Sequence, residues 1–142
     1  MGATGSITAL YTVLVEGDDM DEPIADAVRS VLDGHIVLSR SMAHRNHYPA
    51  IDVLKSVSRC LTDITSKEHR TWLGKLLTSM AAYSEAEDMI NLGAYVRGSN
   101  PQLDQAIGLH PELEKFLIQG VEDRSDLKAT LDRLSALAGS IK

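Results

Sequence analysis

Residues 72–93 carry the sequence WLGKLLTSMAAYSEAEDMINLG, and this stretch decides the fold of the larger part of the chain. Its apolar residues recur at the helical period of about 3.6 positions in two successive groups, Trp72, Leu73, Leu76, Leu77 and Met80, then Ala86, Met89, Ile90 and Gly93. Side chains at this spacing share one face of a helix, and that face packs against other elements. The stretch therefore predicts a helical domain with an aliphatic core.

Three further helices are predicted downstream, each from a residue type that favours a helix start. Asn100 and Pro101 open the first, Pro111 opens the second, and Ser125 caps the third. The third helix carries its apolar residues on one stripe, which consists of Leu127, Leu131, Leu134 and Ala138. A stripe of this spacing suits a plain core helix and also suits pairing with a helix of a partner protein, so both interpretations stay open.

The amino-terminal part of the chain has a different pattern. Residues 7–15, ITALYTVLV, are uncharged, rich in β-branched side chains and apolar on both alternating faces, which predicts a central strand of a covered, parallel sheet. A buried helical segment is the alternative interpretation of this run. Residues 25–32 are predicted to form a helix, residues 35–39 a second short strand, and residues 40–46 one or two helical turns.

This change of pattern predicts two domains, residues 1–62 with the strands and residues 63–142 with helices only. The predicted fold class is mixed and mostly α. A strand that is apolar on both faces needs hydrogen-bonding partners on both edges, and two short strands do not supply them. We therefore expect the partners to come from other chains or from an upstream part of a longer protein.

Composition excludes several classes of function. The 142 residues have a formal net charge of −6 and no run of Lys or Arg, which is a poor electrostatic match for nucleic acid or anionic lipid. The single cysteine, Cys60, excludes an internal disulfide and a thiolate metal cluster, and it indicates a reducing compartment. The first residues lack the basic segment of a secretory signal, so we expect a cytoplasmic protein.

Three amino-terminal stretches together resemble a known family. They are GSITA at 5–9 with EGDDM at 16–20, LDGHIVLSR at 32–40, and HYPAIDVLKSVSR at 47–59. Their order and spacing resemble the end of the nucleotide-binding domain of rotary-ATPase-like enzymes, nearest to the ATPase of flagellar and virulence type III protein export. Residues 83–101, YSEAEDMINLGAYVRGSNP, also resemble this family, closest to its flagellar branch. The resemblance runs from Gly5 to about Gln119.

The resemblance implies a fold and an activity. Residues 1–62 would be the carboxyl-terminal edge of a RecA-like α/β nucleotide-binding domain, and residues 63–142 a small all-α domain. The whole enzyme would hydrolyse ATP with Mg²⁺ in a homohexamer to energise protein export. No phosphate-binding Gly-Lys-Ser or Gly-Lys-Thr occurs here, because Gly74-Lys75 is followed by Leu76. We therefore expect these residues alone to be inactive and to need no cofactor.

The resemblance also assigns roles to individual residues. Arg59 matches an arginine finger that reaches the neighbouring subunit's active site, and Tyr48 matches a residue that stacks on adenine in its own subunit. Asp18 and Asp19 match a loop at the subunit interface. The residues by themselves allow blander interpretations, namely a surface salt bridge for Arg59, a half-buried loop tyrosine for Tyr48, and solvated or helix-capping carboxylates for the two aspartates.

Other candidate groups carry weaker signals. His44 and His47 are one helical turn apart, a spacing that can ligate zinc, but no third ligand is fixed by spacing, so we expect solvated histidines and no metal site. Cys60 has no partner pattern and is expected to be a small buried residue.

The resemblance implies partners as well. They are further copies of the chain, the export regulator and stalk proteins, and chaperone–substrate complexes. Nucleic acid is not expected, and membrane contact is expected only peripherally, at the inner face of the export apparatus. An alternative is a stand-alone, non-enzymatic helical module that binds export chaperones or a coiled-coil stalk. A subunit of a proton-translocating synthase is a third possibility, which residues 97–101, RGSNP, make less favoured.

Overall fold

The computed structural model describes residues 5, 7–15, 17, 19–20 and 22–141, and the chain divides into two compact units, residues 1–33 and residues 34–142. The described residues form six helices and one two-stranded sheet, so the fold is mixed and mostly helical, as predicted. Among these residues, none of the helices combines the length and the apolar character that a membrane span requires.

The first unit contains one helix, α1, at Pro23–Val31. It confirms the helix predicted for residues 25–32 and begins two residues earlier, at a proline whose missing N–H costs nothing in a first helical turn. The strand predicted for residues 7–15 is wrong, because this run has no regular secondary structure. Its side chains are exposed, with Ile7 at 100% and Leu14 at 96%, so the alternative of a buried helix is wrong too. A strand forms only where neighbouring backbone groups accept its hydrogen bonds.

The second unit begins with strand β1, Gly34–Leu38, followed by helix α2, Arg40–His44, and strand β2, Ile51–Ser58. Both β1 and α2 confirm sequence predictions, whereas β2 lies in a stretch for which no element was predicted. The two strands pair antiparallel, with Gly34 opposite Ser58 and a bulge in β2 between Asp52 and Val57. A Cβ at Gly34 would lie 2.6 Å from the Val57 carbonyl oxygen, so this close pairing requires glycine.

Helix α3 spans Leu61–Ile64, and α4 then runs without a break over Lys67–Asn91. The Ser66 side chain caps the start of α4 by accepting a hydrogen bond from the amide of His69 at 3.2 Å. At its end, the amide of Gly93 donates to Ile90 and that of Ala94 to Met89. This pair of bonds is a Schellman motif, and Gly93 supplies the positive φ of 68° that the motif needs.

The last two helices are α5, Pro101–Leu117, and α6, Leu127–Gly139. Asn100 caps α5 as predicted. The prediction that Pro111 opens a separate helix is wrong, because Pro111 lies inside α5. The turns on either side of it stay aligned because Leu109 and Leu113 are buried in one cluster. The cap of α6 is Asp126, one residue after the predicted Ser125, and its carboxylate accepts from Ala129 at 2.7 Å.

Two buried apolar clusters form the core of the second unit, and α4 contributes to both. The first cluster consists of Leu76, Leu109, Leu113, Leu134 and Ala138. The second consists of Ala86, Leu103 and Ala106. The core interpretation of the α6 stripe is confirmed for Leu134 and Ala138, and Leu131 packs against the same cluster. Leu127, at the start of that stripe, is 72% exposed.

Two glycines of the α4 region should respond to alanine substitution with opposite changes in the free energy of unfolding. Gly74 is in the middle of α4, and an added Cβ would meet no atom within 4 Å, so Gly74→Ala should raise the free energy of unfolding by about 0.5–1 kcal/mol. Gly93 has equally open surroundings, but its φ of 68° is strained for alanine. Gly93→Ala should therefore lower that free energy by about 1 kcal/mol.

Urea unfolding followed by circular dichroism measures both variants, and each serves as the control for the other. Changes of the same sign in both would contradict the Schellman assignment at the end of α4.

Candidate functional site

Tyr48 and Arg59 lie at opposite ends of β2. Tyr48 is in the loop before the strand, and Arg59 follows directly after Ser58, the last residue of the strand. A bulge in β2 shortens the distance between its two ends, because Asp52 pairs with Val37 and Val57 pairs with His35. The ends of β2 therefore match the ends of the five-residue strand β1, which are about 13 Å apart at roughly 3.3 Å per residue. The two side chains thus leave opposite ends of the same two-stranded sheet.

The loop that carries Tyr48 is held by backbone hydrogen bonds on both sides. The carbonyl of Tyr48 accepts from the amide of Gln119 at 2.8 Å, and the amide of His47 donates to Met42 at 3.0 Å. The amide of Ser39 donates to the carbonyl of Ala50 at 2.8 Å. The side chain of Tyr48 remains half exposed, at 50%. The backbone of the loop is thus fixed, and the half-exposed aromatic ring that it carries is accessible to a stacking partner.

Arg59 is exposed in the turn between β2 and α3. Its neighbour Cys60, which was expected to be buried, is half-buried. The short connection to α4 is organised by Arg70, whose guanidinium donates to the carbonyls of Thr62, at 2.9 Å, and Thr65. The segment between the Arg59 turn and α4 is therefore held in place by hydrogen bonds from Arg70.

The remaining candidate residues have mixed outcomes. Asp19 is exposed, and its carbonyl accepts from Glu22 at 3.2 Å; it belongs to the first unit, whereas Tyr48 and Arg59 belong to the second. Asp18 lies outside the described residues. His44 is exposed as expected, but His47 is 8% exposed, so the expectation of two solvated histidines is wrong for His47. Among the described side chains, no group of three potential metal ligands is found together.

Sequence reasoning missed a cleft of about 330 Å³ beside the Tyr48 loop. It lies between the α2–β2 segment and the α4–α5 hairpin, and its polar lining includes Arg45, His47, Tyr83, Glu87, His110 and Glu114. Positions 83 and 87 are one turn apart on α4, as are positions 110 and 114 on α5. Each helix thus carries an aromatic ring and a carboxylate one turn apart, and this pattern in the sequence could have indicated the cleft.

Two contacts organise the cleft. The rings of Tyr83 and His110 stack with their centroids 3.6 Å apart and their planes 9° from parallel, which joins α4 to α5. Across the cleft, Nη1 of Arg45 donates to Oε1 of Glu87 at 2.9 Å, which joins the segment before the Tyr48 loop to α4. The cleft is therefore bounded by one aromatic stack and one ion pair.

The same surroundings perturb Tyr83. Burial raises the pKa of its hydroxyl above the ordinary value, the carboxylates of Glu87 and Glu114 raise it further, and Arg45 opposes them. The phenol therefore stays neutral to higher pH than in a free tyrosine.

Comparison with known proteins divides the chain in two. Residues 1–58 match the ATP synthase alpha/beta family, nucleotide-binding domain, and residues 65–136 match the T3SS EscN ATPase C-terminal domain. A flagellum-specific ATP synthase of Treponema pallidum is 52% identical over 95% of this chain and 30% of its own length. A type 3 secretion system ATPase of Pseudomonas savastanoi pv. phaseolicola is 48% identical over 99% of this chain and 31% of its own.

A solved structure agrees with these relatives. The assembled ATPase EscN of the enteropathogenic E. coli type III secretion system superposes with a TM-score of 0.88 at 40% identity, over 94% of this chain and 32% of that one. EscN in complex with its central stalk EscO gives a TM-score of 0.86 at 38% identity, over 97% of this chain and 32% of that one. The chain spans about a third of the length of the curated relatives it matches.

The raised pKa of Tyr83 predicts a specific alkaline loss of stability. Since the folded state favours the neutral phenol, this stabilisation is fully present below the unfolded-state pKa of about 10 and is lost as the pH rises through the raised folded-state value. Tyr83→Phe should remove that part of the pH dependence. Phenolate absorbance during an alkaline titration, taken as the difference between the parent and Tyr83→Phe, measures the midpoint. A midpoint at or below the ordinary value would contradict the buried setting.

Proposed function

This chain belongs to the family of type III secretion and flagellar export ATPases, and we propose that it forms the carboxyl-terminal part of such an enzyme, which hydrolyses ATP to energise protein export. The observation that carries the proposal is the placement of Tyr48 and Arg59 at the two ends of one strand, with both side chains exposed. In the proposed enzyme each side chain meets a different nucleotide, so the active sites lie between the subunits of a ring.

Arg59 is proposed as the residue that completes the neighbour's active site. Its planar guanidinium, with donors in a fixed fork, meets the charge that develops on the transferring phosphate. Its exposure in a turn beyond β2 supports this role, because such a group must leave its own subunit. The local charge also suits a phosphate ligand, since residues 34–62 carry four basic side chains and one acidic one in a chain of net charge −6.

Tyr48 is proposed as the adenine platform in its own subunit, because its ring is half exposed and its backbone carbonyl is held by the hydrogen bond from Gln119. Asp18 and Asp19 are proposed to lie at the interface between subunits, with no part in the chemistry. The nucleotide is ATP with Mg²⁺. The phosphate-binding sequence Gly-Lys-Ser/Thr is not among these 142 residues, so we expect no hydrolysis by them alone.

The organisation of the whole enzyme follows from the same proposal. Residues 1–62 are the edge of a RecA-like domain, residues 63–142 are the helical domain, and the assembled form is a homohexamer. We place it in the cytoplasm, at the inner face of the membrane export apparatus, which it contacts peripherally. Its proposed partners are the export regulator, the stalk and chaperone–substrate complexes.

The tip of the α4–α5 hairpin is the proposed stalk contact. Three apolar side chains there are exposed, Met89 at 48%, Leu92 at 82% and Val96 at 70%. Exposed apolar side chains of this size favour burial against a partner. The solved complex of EscN with its central stalk EscO shows that a related ATPase binds such a partner.

A second candidate function is a non-enzymatic helical module that binds a stalk or chaperone by itself. It is supported by the two apolar clusters, whose buried residues all lie between Leu76 and Ala138. A helical region with its own core meets the physical requirement for independent folding. ATP-independent binding of a stalk or chaperone by the 142 residues, with no effect of Arg59→Ala on export in the whole protein, would favour this function.

Removing the proposed arginine finger should stop turnover without preventing nucleotide binding. In the whole ATPase, Arg59→Ala should lower kcat by roughly a thousandfold or more, because nothing replaces the fork of donors at the neighbour's phosphate. Arg59→Lys should restore little, since a point charge lacks that geometry. Steady-state ATPase assays and equilibrium binding of a fluorescent nucleotide separate the two effects.

The matched control for this variant is Arg124→Ala, an exposed arginine in the loop between α5 and α6. It should retain normal turnover. Normal turnover in Arg59→Ala would refute the finger assignment.

Charging the hairpin tip should weaken stalk binding selectively. Leu92→Asp and Val96→Asp should each reduce the affinity of the whole ATPase for its stalk protein by roughly tenfold or more, because a carboxylate replaces a buried apolar contact. Val121→Asp, at an apolar side chain that is 101% exposed in a different loop, is the control and should bind normally. Equal losses in all three variants, measured by isothermal titration calorimetry, would argue against a localised contact.

A further inference from the structure

The segment that carries Tyr48 is held to the helices without a shared apolar core. We call residues 34–58, with β1, α2 and β2, the sheet lobe. Among the described residues, neither apolar cluster contains a side chain from the sheet lobe, and all cluster members and their packed neighbours lie between Trp72 and Ile141. The cleft of about 330 Å³ lies between the sheet lobe and the α4–α5 hairpin. Polar contacts that cross this cleft therefore carry unusual weight in setting the position of the lobe.

Two polar contacts attach the segment that ends at Tyr48. Three residues before Tyr48, Arg45 donates from Nη1 to Oε1 of Glu87 on α4 at 2.9 Å. The backbone carbonyl of Tyr48 itself accepts from the amide of Gln119, two residues beyond the end of α5, at 2.8 Å. The loop is thus attached to both helices of the hairpin within four residues.

The two helices that receive these contacts are joined to each other. The stacked rings of Tyr83 and His110 connect α4 with α5. Tyr83 is one helical turn before Glu87, and His110 lies on the helix whose end leads to Gln119. A displacement of the hairpin would therefore move both attachment points of the loop together.

We propose that Arg45 and Glu87 are positioning residues for the nucleotide, because their ion pair fixes the loop so that the Tyr48 ring is presented to the base. Neither side chain touches the nucleotide in this proposal; they act through the loop. The inference rests on the proposed role of Tyr48, and it adds that the position of the α4–α5 hairpin sets nucleotide affinity. A stalk or other partner that shifts the hairpin would change that affinity through this pair.

The expected change in the KM for ATP follows from the solvent exposure of the two side chains. The side chains of Arg45 and Glu87 are 61% and 36% exposed, so water screens the pair. We expect a two- to fivefold change in the KM for ATP from breaking it, which is about what a solvent-exposed ion pair contributes. The value of kcat should stay within twofold, because neither side chain touches the nucleotide in this proposal and Arg45 precedes β2, whereas Arg59 follows it.

A charge exchange in the whole ATPase tests the pair. Arg45→Glu and Glu87→Arg each place like charges opposite each other and should raise the KM for ATP two- to fivefold. The double variant Arg45→Glu/Glu87→Arg restores an ion pair and should return the KM towards the parent value. The same exchange at Lys128 and Asp132, an exposed pair 3.9 Å apart on α6, is the matched control and should leave the KM unchanged.

Hydrogen exchange provides a readout that does not depend on nucleotide. The amide of Gln119 should exchange at least twice as fast in either single variant as in the parent, and the double variant should restore its protection. An unchanged KM in both single variants, or a double variant no better than the single ones, would overturn the positioning role. Faster exchange with an unchanged KM would overturn it as well, because the loop would then move without consequence for the nucleotide.

Tyr48→Ala separates this inference from the proposed function. If Tyr48→Ala leaves nucleotide affinity unchanged, the adenine platform is wrong and the positioning role falls with it. If Tyr48→Ala weakens binding and the charge-exchange series does not, the platform stands and only the ion pair is overturned.

Discussion

The 25-residue helix α4 is the element on which the second unit depends. At about 1.5 Å per residue it is roughly 37 Å long, and different turns of it serve different neighbours. Leu76 contributes to the cluster shared with α5 and α6, and Ala86, ten residues later, contributes to the cluster shared with α5 alone. Tyr83 lies between Leu76 and Ala86 and makes the aromatic contact of the cleft. Glu87, directly after Ala86, makes its ion pair. One rigid helix therefore links the apolar core to the segment that carries Tyr48.

The helices and the sheet lobe of this unit are held in place by different kinds of interaction. The helices bury leucine and alanine side chains, and burial of this kind is non-directional and tolerant of small shifts. The sheet lobe is attached through hydrogen bonds and an ion pair, which depend on distance and angle. Such a combination allows the lobe to respond to a change in the helices while the helical core keeps its packing.

The sequence predicted the helices better than it predicted the strands, and particular residues show why. Helical periodicity and the cap at Asn100 are local signals, so α4 and α5 were predictable, although the strong breaker Pro111 was misread because burial of Leu109 and Leu113 on either side outweighs it. Residues 7–15 have the composition of a strand, but strand formation depends on distant partners that composition does not reveal. The Arg45–Glu87 pair joins residues 42 positions apart, and no local pattern predicts such a contact.

The close pairing of β1 with β2 at Gly34 has a consequence for genetics. Gly34 pairs with Ser58, so the fit of a hydrogen atom against the Val57 carbonyl fixes the end of the strand from which Arg59 departs. Any larger substituent would push the strand ends apart and shift the turn that carries Arg59. A saturation screen should therefore classify Gly34 as intolerant of substitution, and the change should stay local to this strand end, because neither apolar cluster of the helices contains a described residue of either strand.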